Sequence, residues 1–363
     1  MKEIISSLLF NYEFICVFLF CSIIVLLISI LIKKQTVRKI LIVLFSVFLV
    51  LFAFEIFLSF VMLPPNIENF RFYINNIDGN TYVIKEIEYF DKNNKRHKRR
   101  LKEEDFNIED YTDCNFIFNQ NYSLYGNDFR VTKCNNNSED VFLFLGCSFT
   151  FGDALDDFGT LPYNFSKLYN FEKNIINCGA SANSSNTALN IINNELYLPL
   201  INNKNSKIKH CFYSLIDDHI YRNFRYEGFC LDGYLYRDNK WYIPTAIGKI
   251  KWIFARSYIF RKVFAPIIDE LFGKYYEKYM INSLKEINEI IEGKYKAKMT
   301  IIVWPDYYKK NFIKKLKETN LDLIFLPNKF NSYEEYKIKN NGHPTTKANE
   351  EIAQILYNHI NNK

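Results

Sequence analysis

Hydrophobic and polar positions divide the chain into three kinds of pattern. The first 63 residues carry long apolar blocks: Phe14–Ile32 has no charge, and Ile40–Leu63 is interrupted only by Glu55. At about 1.5 Å per residue, a helix over either block has the length of a bilayer core. Residues 64–140 instead alternate short β-like runs, Phe70–Ile74 and Tyr82–Ile87, with turns rich in Asn, Asp and Lys. From Val141 onward the period changes again. Strand-like runs at Val141–Leu145, Asn174–Cys178, Lys209–Ile216, Met299–Trp304 and Leu321–Leu326 are separated by helix-like stretches at Leu161–Tyr169, Asn186–Leu198, Asn311–Thr319 and Thr345–Asn361. Alternating strands and helices predict an α/β fold, a flavodoxin-like parallel sheet with helices on both faces.

The expected organisation is therefore two transmembrane helices in 1–63, a small β-rich lead-in over 64–140 and an α/β domain over 141–363. That domain has an insertion at about 220–298. Within the insertion, Glu227–Pro244 is rich in Gly, Tyr and Asp and reads as a hairpin; Lys249–Ile291 reads as largely helical. Charge orients the apolar blocks. Lys33, Lys34, Arg38 and Lys39 lie between them, and a short positive loop stays cytoplasmic. Everything after Leu63 is then expected outside, on the periplasmic or cell-surface side. A buried helical hairpin is the alternative reading of the two blocks. Glu55 reads as a carboxylate near the outer interface.

Net charge is +6, too mild and too dispersed for a nucleic-acid partner. The eight cysteines contain no CxxC pair, so no zinc pattern is present. An extracytoplasmic domain permits a disulfide such as Cys114–Cys134 without requiring it.

Candidate chemistry gathers at two places. The run Val141–Leu145 leads into Gly146-Cys147-Ser148-Phe149-Thr150-Phe151-Gly152, so Ser148 falls on the turn at a C-terminal strand end, where open α/β folds place their ligands. Of the five histidines, His343 stands in a Gly/Pro loop, Asn340-Asn341-Gly342-His343-Pro344, at the entry to the last helix. His97 lies in a basic run and reads as solvated. His219 follows Asp217-Asp218 at the end of another strand and is a reserve base.

These segments resemble the blocks of the SGNH (GDSL-type) hydrolases. GCSFTFG resembles a degenerate first block with Cys147 in place of an aspartate. NCGASANSS, residues 177–185, resembles the second, and NGHPTTKAN the block carrying the catalytic histidine. The resemblance spans about 139–363. It implies Ser148 as nucleophile, His343 as base, an oxyanion hole from the N–H groups of Ser148 and Gly179, and no metal or cofactor. Two positions depart from the pattern. The strand end where the family supplies an asparagine reads Asp217-Asp218, whose charge would repel an oxyanion. The family aspartate before the histidine is replaced by the amides Asn340 and Asn341, leaving Asn341, Asn340, Asp217 or Asp218 as possible orienting groups.

The function this implies is a membrane-anchored, extracytoplasmic serine esterase acting on acylated cell-surface carbohydrate or lipid. Two alternatives remain open: an O-acetyltransferase of surface polysaccharide, served by a membrane acyl-donor partner, and a catalytically degenerate glycan-binding domain.

Overall fold

The computed structural model describes residues 81–125, 129–181, 183–222, 265–305 and 310–362, with short pieces at 35–37, 39–43, 45–46, 235–237 and 240–242. The chain forms two compact units. One comprises Met1–Phe70, Arg225–Phe229 and Ile243–Phe272, and the other comprises the remainder. The second unit holds the sheet.

Eleven strands are described: β1 (Thr81–Phe90), β2 (Arg96–Lys102), β3 (Asn115–Tyr125), β4 (Phe129–Arg130), β5 (Asp140–Gly146), β6 (Asn174–Gly179), β7 (Lys207–Leu215), β8 (Leu235–Arg237), β9 (Lys240–Tyr242), β10 (Lys298–Val303) and β11 (Asp322–Phe325). Helices are α1 (Ser148–Phe151), α2 (Leu161–Leu168), α3 (Ser185–Asn193), α4 (Asp218–Arg222), α5 (Ala265–Tyr295), α6 (Lys310–Lys317), α7 (Lys329–Ser332) and α8 (Thr346–Asn361). Nine strands make one sheet in the order β11-β10-β7-β5-β6-β4-β3-β1-β2. Its parallel part, taken in chain order from β5, has the order 2-1-3-4-5 of a flavodoxin-like sheet.

Side-chain alternation on β5 explains why this part must be covered twice. Val141, Leu143 and Leu145 point to one face, where Ala188, Ile191 and Ile192 of α3 meet Met280, Leu284, Ile287 and Ile291 of α5. Phe142 and Phe144 point to the other, against Leu161 and Phe165 of α2 and Ile352 and Leu356 of α8. A strand apolar on both faces is stable only between two helical layers. Phe165 lies 5.5, 5.3 and 5.3 Å, centroid to centroid, from the rings of Phe142, Phe144 and Phe212.

The lead-in belongs to this sheet. β4 pairs antiparallel with β6 through Arg130 and Asn177, and β3, β1 and β2 continue outward. Ile87 and Tyr89 of β1 pack with Tyr111, while Glu86 and Glu88 face the opposite way and are buried. The basic run is their counter-charge: Arg96 Nε lies 2.5 Å from Glu88 Oε1 and Lys98 Nζ 2.6 Å from Glu86 Oε1. His97 is bonded to Asp91 Oδ2 at 2.9 Å and stacked on Tyr89, so the run is a paired strand where a solvated one was expected.

Three expectations change. Among the described residues no helix is long and apolar enough to cross a membrane. The two transmembrane helices expected in 1–63, and the extracytoplasmic placement that rested on them, are therefore not supported by the structure. Most of residues 1–63 lie outside the described residues, as does the run Phe70–Ile74. Cys114 and Cys134 are free thiols, so the permitted disulfide does not form. The insertion does contain a hairpin, β8 with β9, and one long helix, α5.

Candidate active site

β5 ends on Gly146 with φ 145°, a conformation that side chains rarely adopt. A Cβ there would overlap Thr150 Oγ1 and stand 3.1 Å from Ser214 Cβ, so only glycine lets the strand turn this sharply into α1. Cys147 is the N-cap and Ser148 the first helical residue. First-turn N–H groups have no intrahelical acceptor, which leaves the Ser148 amide available beside its own hydroxyl. The far end of the turn is held by Arg130, whose side chain is fully buried. Its Nη1 donates to Phe151 O and Gly152 O at 3.2 and 2.6 Å, its Nη2 to Leu155 O at 2.6 Å, and its Nε to Asp157 Oδ1 at 3.0 Å.

His343 arrives from a tight loop. Lys337 and Pro344 form a β-bridge, Ile338 N–H donates to His343 O at 2.8 Å, and Gly342 N–H donates to Ile338 O at 2.9 Å. Asn340 and Gly342 both have positive φ, which asparagine and glycine tolerate better than other residues. The loop brings His343 Nε2 to 2.8 Å from Ser148 Oγ, across 195 residues of sequence.

The other ring nitrogen, Nδ1, is hydrogen-bonded to Asn341 Oδ1. Asn341 Nδ2 in turn donates to Glu88 Oε2 at 2.9 Å. Asn341 is thus the orienting residue of the four considered. Asn340 is exposed at the loop tip. Burial pushes the His343 imidazolium below the usual histidine range; the negative charges of Asp153 and Glu88 oppose this, and Lys98 and Arg222 reinforce it.

A cavity of about 390 Å³ opens over the pair. Phe149 and Trp304, edge to face at 4.9 Å, form an aromatic wall, and Asp217, Asp218 and Arg222 supply polar and charged lining. The guanidinium of Arg222 also reaches Asp218 Oδ2 and Asn183 O, both at 3.2 Å. Trp304 Nε1 is buried without a hydrogen-bond partner among the described residues. Asp217 and Asp218 border the same cavity.

The oxyanion expectation changes at Gly179. Its N–H donates to Asn177 Oδ1 at 3.0 Å and is not presented to the cavity. The glycine serves close packing instead: a Cβ would overlap Phe151 N and stand 2.7 Å from Thr150 Cβ. Asn177 Nδ2 meanwhile donates to Thr150 O and Phe151 O at 3.1 and 3.3 Å, tying β6 to the nucleophile turn. His219 is fully buried. Its Nδ1 meets Tyr213 OH at 3.0 Å, and burial holds its pKa well below the usual value, so it is a neutral core residue outside the cavity. Glu88, Arg130, Asn177, Arg222 and Trp304 were not singled out from sequence. A carboxylate alternating with apolar residues on a β-like run, followed by a basic run, was the available signal for Glu88.

No family model matches the sequence, and no curated protein is similar to it. Solved structures do resemble it. One is a putative lipolytic protein of the G-D-S-L family from Desulfitobacterium hafniense DCB-2, with 12% identity, a TM-score of 0.36, and coverage of 60% of this chain and 98% of that one. Another is AlinE4, an SGNH-hydrolase family esterase, with 14% identity, a TM-score of 0.33, and coverage of 62% and 96%. The likeness is one of fold. What the site does is argued from its own geometry.

Proposed function

We propose that the chain is a serine esterase that cleaves acyl esters through Ser148 and His343. The observation carrying this reading is the 2.8 Å contact between Ser148 Oγ and His343 Nε2 at the floor of an open cavity. Nucleophile and base within hydrogen-bond reach, with the base oriented by a third group, is the arrangement that activates a serine. Ser148 Oγ attacks the ester carbonyl carbon while its proton passes to His343 Nε2. The tetrahedral oxyanion forms beside the Ser148 N–H, close to the positive Arg222. Collapse breaks the ester C–O bond, and His343 returns the proton to the leaving alcohol. Water then attacks the acyl-Ser148 ester with its proton accepted by His343; collapse breaks the acyl C–Oγ bond, His343 returns the proton to Ser148 Oγ, and the acid leaves.

An acylated carbohydrate suits the cavity as substrate class. The Phe149–Trp304 wall offers an apolar face to a sugar ring, and Asp217 and Asp218 offer acceptors for hydrogen bonds from its hydroxyls. If a sugar hydroxyl replaces water in the second step, the same residues perform acyl transfer. Acetyl appearing on a glycan acceptor would identify transfer, and free acetate hydrolysis. The reading is tested with a short-chain nitrophenyl ester and a serine-directed phosphonate, using wild type, Ser148→Ala and His343→Ala. Turnover and a phosphonate adduct in wild type, both lost in the variants, are expected. A folded wild type with neither overturns the reading.

A further inference from the structure

We infer that Glu88 is a positioning residue of the Ser148–His343 pair: through Asn341 it fixes the tautomer of His343 and supplies the negative charge that an amide lacks. The inference rests on the serine-esterase reading and extends it to a strand outside the resembling blocks.

The geometry determines each step. A carboxylate only accepts hydrogen bonds. Glu88 Oε2 therefore faces the Nδ2 end of Asn341, which turns Oδ1 toward the imidazole. An amide oxygen also only accepts, so His343 Nδ1 carries the proton and Nε2 presents its lone pair to Ser148. That is the tautomer a general base requires; the opposite one is the defect that disables serine-protease triads deprived of their aspartate. Reversing the Asn341 amide would place its oxygen against the carboxylate and its NH₂ against Nδ1. Glu88 itself is fixed at both oxygens, with Oε1 held by Arg96 Nε and Oε2 by Asn341, and its residue is 5% exposed. β1 alternates regularly here, so Glu88 shares a face with the buried Glu86, opposite Ile87 and Tyr89. Charge follows the same path. Imidazolium forms at His343 in each half-reaction, and Asn341 stabilises it as a dipole alone. The charged groups bearing on the ring are Asp153, Glu88, Lys98 and Arg222, so Glu88 is one of two anions that offset two cations.

The test uses the full chain with isotope-labelled histidine, which gives five imidazole signals to assign by substitution. The His343 titration midpoint is measured by NMR in wild type, Glu88→Gln, Asn341→Asp and the double variant, alongside pH profiles of ester turnover. In Glu88→Gln the midpoint is expected to fall by about half to one unit as an anion is withdrawn. The acid limb of kcat/KM should move down with it, and kcat should fall roughly tenfold with KM little changed. Asn341→Asp alone sets two carboxylates face to face and should lose activity. Adding Glu88→Gln to it should restore activity, because the introduced carboxylate then acts on Nδ1 directly. That reversal of sign separates positioning from a merely structural role. An unchanged His343 midpoint in folded Glu88→Gln, or a double variant worse than both single ones, overturns the inference. The esterase reading fails separately, if wild type neither turns over esters nor labels at Ser148 while the midpoint still shifts.

Discussion

Replacing Arg130 with Leu removes the clamp on the nucleophile turn and gives a stability loss that the structure lets us size. The guanidinium has no exposed surface, its partner Asp157 is about a quarter exposed, and three main-chain carbonyls in the turn accept from it. It also lies 4.2 Å from the ring centroid of Tyr122. Breaking a buried ion pair by deleting one partner costs about 3–5 kcal/mol. Each buried acceptor left without a donor adds about 1–3 kcal/mol, although these terms overlap with the first. Asp157 regains water, which argues for the lower half of the range, about 3 kcal/mol. At roughly 2–4 °C per kcal/mol for a unit of this size, thermal unfolding of the sheet unit should fall by about 6–12 °C. Near-UV circular dichroism would follow this, and the rate of phosphonate labelling at Ser148 should fall in parallel at temperatures where the variant remains folded. Arg130→Lys keeps the charge without the planar fork and should recover only a minor part. A drop of less than about 2 °C in Arg130→Leu would refute the reasoning, since this corresponds to no more than ~1 kcal/mol.

Other consequences are as direct. Because burial lowers the His343 pKa and the base must be neutral, kcat/KM should rise with a midpoint below 6.5 and be level through neutrality; a midpoint above 7 would contradict the environment described. His343 and His219 both have folded pKa values depressed below the unfolded one, so stability at neutral pH should diminish as pH falls below about 6.5, where the unfolded chain binds protons the folded chain refuses. Denaturant titrations at a series of pH values would show it, and a flat response between pH 7 and 5 would count against it. Trp304→Phe keeps the aromatic wall but deletes an unpartnered buried donor. Removing an unsatisfied buried donor should hold or raise stability, read by denaturant titration; a loss above ~1 kcal/mol would show that Nε1 has a partner. Gly179→Ala drives a Cβ into the backbone of α1 and should lower the yield of folded protein, even though its N–H serves Asn177. Wild-type folding and melting in that variant would show that the turn is softer than its packing implies.

The parallel sheet and the Ser148–His343 pair were readable because both depend on local signals. Bulky runs such as Val141–Leu145 declare strands buried on two faces, and a glycine-flanked serine at their end declares a turn. His343 was readable by the company it keeps in Asn341-Gly342-His343-Pro344. Glu88 was not, because its role arises from a contact with a residue 253 positions away. Gly179 misled for a related reason. The resemblance implied an open amide there, yet the side chain two positions earlier folds back to occupy it. The lead-in was legible as β-rich, but its short runs and polar turns do not announce that it extends the main sheet. Antiparallel pairing to β6 through one residue pair, Arg130 with Asn177, is enough to make it part of the same sheet. Length and charge alone suggested spans in the apolar blocks of 1–63, most of which lie outside the described residues; no described helix is long and apolar enough to cross a membrane.

The two ends of the nine-stranded sheet differ in a way that bears on solubility. At one end β11 has four residues, too few to template a long intermolecular ladder. At the other, β2 runs for seven residues as RHKRRLK, with five of them lysine or arginine. Charge of one sign along an outermost strand repels a second copy that would otherwise add to its free backbone groups. Arg96 and Lys98 of this same strand neutralise Glu88 and Glu86 inside. Protection against edge-to-edge association and support of the residue behind the active-site histidine therefore draw on the same cations. Drift toward neutral side chains on β2 would expose the molecule to self-association and unsettle its chemistry together.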